Sequence, residues 1–415
     1  MTFVPKTLPL ARYLGHNHSP FINRPFWTKN IQTFRKPHIA NQCFFARNFA
    51  SQAKSALENG KRKVSTRVLA FGVALGAAAG LGYSYLELKK HKIPIANNLG
   101  ENKFLLLEAP PKATVARQII NDDDKSGLHL TLYQYQACPF CTKVRSYLDF
   151  AGVSYDVVEV NPVTKKQLMW SQYKKVPIVI ASLKEGHQQL NDSSMIISAL
   201  ESYLKGSSRD LLQIVSYYPT VAFRENDGSE RSEVLNRYFL MFGDQEITHR
   251  TKESIVEERR WRKWADDVLS HTLSPNIYRT WEEALEAFHL FSKNGDWERL
   301  FSSLERYLVI YTGAAVMYMI GRRLKKRHNL LDDVRESLYA EVNHFLRAID
   351  RKSTPFMGGD EPDLSDLAVY AYLNSIDGTR AFEDLLSRTN VGPWYRGVQQ
   401  IIAKRKGRVV IPSSD

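Results

Sequence analysis

Cysteine is nearly absent from this chain: three occur in 415 residues. So few thiols exclude a disulfide framework. A Walker-type phosphate loop, a dinucleotide glycine fingerprint and a His-Glu-x-x-His zinc motif are all missing, which removes the nucleotide-binding and metalloprotease classes. No internal repeat or extended low-complexity tract appears. Acidic residues are missing too, but only locally, since no Asp or Glu precedes Glu58. Residues 1–92 hold 15 Lys/Arg against Glu58 and Glu87, while the rest of the chain carries equal numbers of each sign. The net charge of +13 therefore belongs to the N-terminal segment. The body carries no nucleic-acid footprint.

A basic start over residues 1–60, acid-free up to Glu58, has the composition of a mitochondrial presequence. Arg47-Asn48-Phe49-Ala50-Ser51 has the form of a processing site. The competing reading is a basic tail lying on an anionic membrane. Val68 to Leu86 runs uncharged for nineteen residues inside a 67–88 segment flanked by Lys61-Arg62-Lys63, Arg67, Lys89, Lys90 and Lys92. At about 1.5 Å per residue such a helix crosses roughly a bilayer core, so a single transmembrane helix is expected here. Gly72, Gly76 and Gly80 share one face and allow close helix–helix contact. Residues 93–126 read as a tether leading into the folded body.

Two of the three cysteines stand together as Cys138-Pro139-Phe140-Cys141. The alternating apolar run Leu128 to Ala137 precedes them, and a stretch with helical spacing follows. A strand running into Cys-x-x-Cys at a helix start is a thiol-chemistry arrangement. The helix N-terminus stabilises a thiolate, and Pro139 suits the first turn. Cys138 is expected to be the exposed nucleophile and Cys141 the more buried partner. A zinc site would need two further ligands at suitable spacing, and no second pair exists, so no metal is expected.

Over residues 127–205 the elements follow as strand, Cys-x-x-Cys helix, strand (Tyr155 to Val160), a short helix after Asn161-Pro162, strand (Lys174 to Ser182), short strand and amphipathic helix. That order is similar to a thioredoxin/glutaredoxin-like domain. In that fold a cis proline opens the third strand opposite the active cysteine, the place Pro177 occupies, and exposes the backbone of the preceding residue, Val176. Asn191-Asp192-Ser193-Ser194 opens the last helix. Such residues cap helices well, and the free N–H groups they leave can also hold a carboxylate.

Residues 206–256 read as a linker region, with Arg224 to Glu233 as a surface loop. Residues 257–405 read as amphipathic helices. Tyr307 to Ile320 is apolar over fourteen residues, too short to span a membrane and expected as a core helix. Asp363 and Asp366 have capping-box spacing before an apolar run. An α/β domain followed by an all-α domain resembles the glutathione-transferase architecture.

Within it, the segments LYQYQACPFCTKVRSYLDF, YDVVEVNPV, YKKVPI, QQLNDSSMIISAL, WRKWADDVL, SPNIYRT, PFMGG, DLAVY and PWY resemble the membrane-associated prostaglandin E synthase type 2 family. The resemblance implies isomerisation of prostaglandin H2, a lipid endoperoxide, to prostaglandin E2. It implies glutathione and haem as ligands, the haem-bound form degrading the endoperoxide instead. It implies a homodimer anchored to a membrane, with no nucleic acid. It assigns catalysis to Cys138, with Tyr135 hydrogen-bonded to its thiol. Phe140, Cys141, Val176, Pro177, Asp192 and Ser193 line the substrate and glutathione pocket, and His271 falls on the haem side. The expected mechanism uses Cys138 alone, leaving Cys141 dispensable. The alternatives are a glutaredoxin-like oxidoreductase using both thiols, or a non-enzymatic, membrane-tethered binder of haem or glutathione. The presequence favours the mitochondrion; the family implies Golgi or perinuclear membrane.

Overall fold

The structure, a computed structural model, describes residues 106–224, 230–242 and 250–412. The presequence-like segment, the apolar run Val68 to Leu86 and residues 93–105 of the tether lie outside the described residues. Among the described residues no helix is long and apolar enough to cross a membrane.

The catalytic half is built on a mixed sheet. Its centre is formed by four strands: β3 (His129–Gln134), β4 (Tyr155–Glu159), β5 (Ile178–Leu183) and β6 (Gly186–Asn191). β3 pairs parallel with β4 and antiparallel with β5, and β5 forms a hairpin with β6. Leu130, Leu132, Val157, Val179 and Leu190 point into the main core with almost no exposure, and Tyr133, Val158, Ile178 and Ile180 form a second cluster. Helix α1 (Pro139–Ala151) connects β3 to β4. Pro139 occupies its first turn, and it ends at Gly152, whose φ of 68° closes the helix with N–H bonds back to its last turn. Helix α2 (Ser193–Lys205) follows β6.

Three features differ from expectation. The helix expected after Asn161-Pro162 is only a 3-10 turn, Lys166–Leu168. The Asn161 side chain accepts from the N–H groups of Val163 and Thr164, and Lys165 takes a positive φ, so the segment is spent on turns. The expected tether is partly sheet: β1 (Leu106–Leu107) pairs with β6, and β2 (Arg117–Ile120) pairs with β4. Ile119 is drawn into the core, which fixes the strand. The expected surface loop is flanked by a hairpin, β7 (Thr220–Arg224) with β8 (Glu230–Val234), after the short helix α3 (Leu211–Ser216). The far end of the chain, β9 (Arg408–Val410), covers the free edge of β2.

The helical half begins with α4 (Lys252–Trp264), which runs through a π turn (Ala265–Leu269) into α5 (Ser270–Ile277). Then come α6 (Trp281–Asn294), α7 (Trp297–Leu300), α8 (Ser303–Arg327) and α9 (Val334–Lys352). The last are α10 (Leu364–Asn374), α11 (Arg380–Arg388) and α12 (Val391–Arg405). Helices α10 and α12 pack on α1, so the second half rests directly on the thiol helix. Helix α8 contains the run expected as a core helix but is buried only along Val309, Ile310, Ala314 and Gly321. Leu304, Tyr307, Leu308 and Tyr311 are exposed, because α5 and α6 cover a single face of it. The capping box forms as expected: Asp363 caps α10, and Asp366 reaches back to the Asp363 N–H.

Candidate functional site

Cys138 is the N-cap residue of α1, with extended backbone, and Cys141 lies fully buried one turn later. The Cys138 carbonyl accepts from the Thr142 amide (2.9 Å) and hydroxyl (3.1 Å), which fixes the start of the helix. The two thiols are chemically unequal. Hydrogen bonding from the Cys141 thiol is the largest influence on Cys138; it outweighs burial and, with the N–H groups of Cys141 and Phe140 and the Arg145 charge, lowers the Cys138 thiol below its ordinary range. Burial first, then Cys138 itself, pushes the Cys141 thiol well up. Cys138 is the more acidic thiol, and Cys141 donates to it.

Three tyrosines feel the charge of this thiol. Burial raises Tyr135, Tyr173 and Tyr278, and the charge of Cys138 adds to it in each case. Their hydroxyls find no hydrogen-bond partner among the described residues. Fully buried tyrosines elsewhere do: Tyr147 donates to Glu201 (3.0 Å), Tyr218 to the Phe239 carbonyl (2.8 Å) and Tyr372 to Asp266 (2.5 Å). Tyr135 and Tyr173 are half-buried and Tyr278 is buried, so their free hydroxyls are open to a ligand.

The expected hydrogen bond from Tyr135 to the Cys138 thiol is not formed. The link between these residues is a backbone one, the Cys138 N–H donating to the Tyr135 carbonyl at 3.0 Å. The Tyr135 ring packs instead on the smaller apolar cluster, beside Tyr173 and Val176. Phe140 stands at the mouth, 40% exposed, its ring edge-on to Tyr372 of the helical half at 5.8 Å.

The second wall comes from the loop before β5 and from the start of α2. The Val176–Pro177 peptide is cis, as the fold resemblance implies. The N–H and carbonyl of Val176 take no backbone partner among the described residues and are available to an extended peptide. Asp192 caps α2, accepting from the Ser194 (2.9 Å) and Met195 (3.1 Å) amides, while Arg237 approaches its other oxygen at 3.5 Å. Its φ of 71° is a costly conformation for a side-chain-bearing residue. Ser193 is buried, yet neither its amide nor its hydroxyl is engaged within the described residues. A γ-glutamyl carboxylate fits this pair of donors at a helix start, so the residues present fit glutathione.

Nothing around His271 supports haem. His271 is not a lone histidine: its ring stacks on His328 at 4.0 Å and 13°. Among the described residues no group of three His, Cys, Asp or Glu could hold a metal ion.

Sequence reasoning missed Arg145, Tyr173 and Tyr278. Arg145 was detectable, being two turns from Cys138 on the same helix face. Tyr278 was not, since it is brought in from the helical half.

Residues 132–207 match the family described as "Glutathione S-transferase, N-terminal domain". A Mus musculus protein named Prostaglandin E synthase 2 is 46% identical over 279 residues, covering 67% of this chain and 71% of that protein. A Danio rerio protein of the same name is 40% identical over 331 residues, covering 79% and 82%. Among solved structures, glutathione transferase F7 from Populus trichocarpa is 14% identical and covers 66% of this chain and 98% of that one, at a TM-score of 0.37 on which nothing rests.

Proposed function

The chain belongs to the prostaglandin E synthase 2 family, and we propose that it isomerises prostaglandin H2 to prostaglandin E2 at Cys138, with glutathione held along Val176, Asp192 and Ser193. The single observation that carries this reading is the unequal thiol pair, with Cys138 half-buried at the start of α1 and Cys141 fully buried behind it. An endoperoxide needs a nucleophile for one oxygen and a proton for the other. In the proposed route the Cys138 thiolate attacks the ring oxygen on C9, forming an S–O bond as the O–O bond breaks. In this route the oxygen on C11 leaves with a proton from a phenol, Tyr278 or Tyr173, which burial keeps protonated. The C9 proton is then lost to the phenolate, the S–O bond breaks, and the ketone and the thiolate are released together. Atoms and electrons balance, as an isomerisation requires. Glutathione, when bound, supplies a second thiol beside the pocket.

Cys141 supports this reading over dithiol exchange. It is inaccessible and keeps its proton, so it serves better as a donor to Cys138 than as a resolving nucleophile. The test is endoperoxide turnover by the wild type, Cys138→Ser and Cys141→Ser. Turnover is expected to vanish in the first and persist in the second; equal losses would overturn the single-thiol route.

We further propose that residues 1–60 direct the chain to the mitochondrion, that 67–88 anchor it in a bilayer, and that it works as a homodimer. The basic start, acid-free up to Glu58, and the uncharged nineteen-residue run support the first two. Imaging a C-terminal fusion, with N-terminal sequencing of the mature protein, tests them; a Golgi or perinuclear signal overturns the mitochondrial assignment.

A further inference from the structure

Asp266 belongs to the helical half, yet its carboxylate is the meeting point of both halves. One oxygen accepts from the Lys143 ammonium (2.5 Å) and the Tyr372 hydroxyl (2.5 Å). The other accepts from the Ser194 hydroxyl (2.6 Å) and the Tyr238 hydroxyl (3.0 Å). Lys143, 2% exposed, also donates to the Ser194 hydroxyl at 2.8 Å. These four donors come from different elements. Lys143 is on the thiol helix α1, five residues after Cys138. Ser194 is the second residue of α2, next to the open donors of Ser193. Tyr372 is on α10, and its ring meets Phe140 at the mouth. Asp266 itself sits in the π turn Ala265–Leu269, a local widening of the helix of the kind found at functional positions.

We propose that Asp266 is a positioning residue, which sets the thiol helix and the ligand-holding start of α2 at a fixed separation and so couples the helical half to the geometry of the site. A lone buried lysine would be costly and a buried ion pair returns little stability of its own. What a four-way carboxylate provides is registry: α1 and α2 cannot shift against each other without breaking bonds to a common centre. Glutathione bridging Cys138 and Ser193 needs that separation held within a fraction of an ångström. The inference rests on the reading of these residues as the glutathione site.

The test uses the full chain in three forms: wild type, Ser194→Ala, and the double variant Lys143→Met with Asp266→Asn, which removes both charges so that neither is left buried alone. Two quantities are read: glutathione affinity by calorimetry, and alkylation of Cys138 by iodoacetamide, followed by mass spectrometry. Ser194→Ala cuts only the arm to α2, so glutathione affinity should fall about tenfold while alkylation keeps its rate, a misplacement of well under 1 Å. The double variant removes the α1 arm and weakens the α2 arm to a neutral amide–hydroxyl bond, so affinity and the alkylation rate should both fall by about tenfold or more. General destabilisation would move both quantities together in both variants. Circular dichroism and the thermal midpoint show that each variant is folded. A folded double variant with both quantities within twofold of the wild type overturns the proposal, as does a Ser194→Ala variant that loses both equally. A wild type that binds no glutathione overturns the ligand assignment in the proposed function; the alkylation arm then decides the positioning role by itself.

Discussion

Asp366 gives the most exposed quantitative test of the fold behind this site. Its carboxylate is fully buried and accepts four N–H groups: Met357 (3.0 Å), Gly358 (2.9 Å), Asp363 (3.1 Å) and the Trp394 indole (2.9 Å). They arrive from the loop before α10, from its N-cap and from α12, so one side chain ties three segments beneath the thiol helix. Gly358 belongs to the same knot: a Cβ there would fall 2.5 Å from the Glu361 carbonyl and 2.7 Å from the Asp363 amide. Asp366→Ala leaves four buried donors without a partner. At about 1–3 kcal/mol for each unsatisfied group, with water entering the vacated space to recover part of it, the loss comes to about 4 kcal/mol. Asp366→Asn keeps one acceptor oxygen and turns its NH2 toward two N–H groups, so it should cost about half of that. A total stability of about 5–15 kcal/mol would leave the alanine variant marginal. Urea denaturation, followed by tryptophan fluorescence, measures both midpoints against the wild type. The expected order is wild type, Asn, Ala. An alanine variant within about 1 kcal/mol of the wild type would refute the account of Asp366 as a four-way cap.

Other outcomes follow from the site. Tyr278→Phe should lower endoperoxide isomerisation about 10²-fold, the lower end for a lost general acid, while the rate of Cys138 alkylation stays at its wild-type value. If turnover is unchanged, the proton comes from another phenol, and Tyr173→Phe becomes the deciding variant. Stability should also depend on Asp266 in acid. Burial opposes its ionisation, but the Lys143 charge and the donated hydrogen bonds hold it down to about 2. A depressed carboxyl contributes stability above its ordinary range and loses it as the pH falls, here from about 4 to about 2, a loss of roughly 2 kcal/mol. Thermal midpoints across that window should fall more steeply in the wild type than in the Lys143→Met, Asp266→Asn protein; parallel curves would contradict this assignment.

Local physics made part of the site legible in the sequence. Cys138-Pro139-Phe140-Cys141 after an alternating run announces a strand and a thiol at a helix start, because Pro139 and the cysteine spacing suit a first helical turn. Asp192 and Ser193 could be read as a cap for the same reason, and Asp363 with Asp366 as a capping box. Only the boundaries needed help there, since a polar run such as Arg117-Gln118 becomes a strand only when a neighbour's edge and a core place for Ile119 are available.

The sequence by itself determined a thiol pair at a helix start, since the strand pattern, the proline and the cysteine spacing are all local. Tertiary structure alone decided what faces that thiol. Tyr278 lies 140 positions away from Cys138, and Asp266 lies 123 from Lys143. No period or motif carries such distances, because those contacts exist only after α10 and α12 have packed on α1. It likewise decided that the apolar run Tyr307 to Ile320 is half exposed, since hydrophobicity is a property of the residues but burial depends on which faces the neighbouring helices cover.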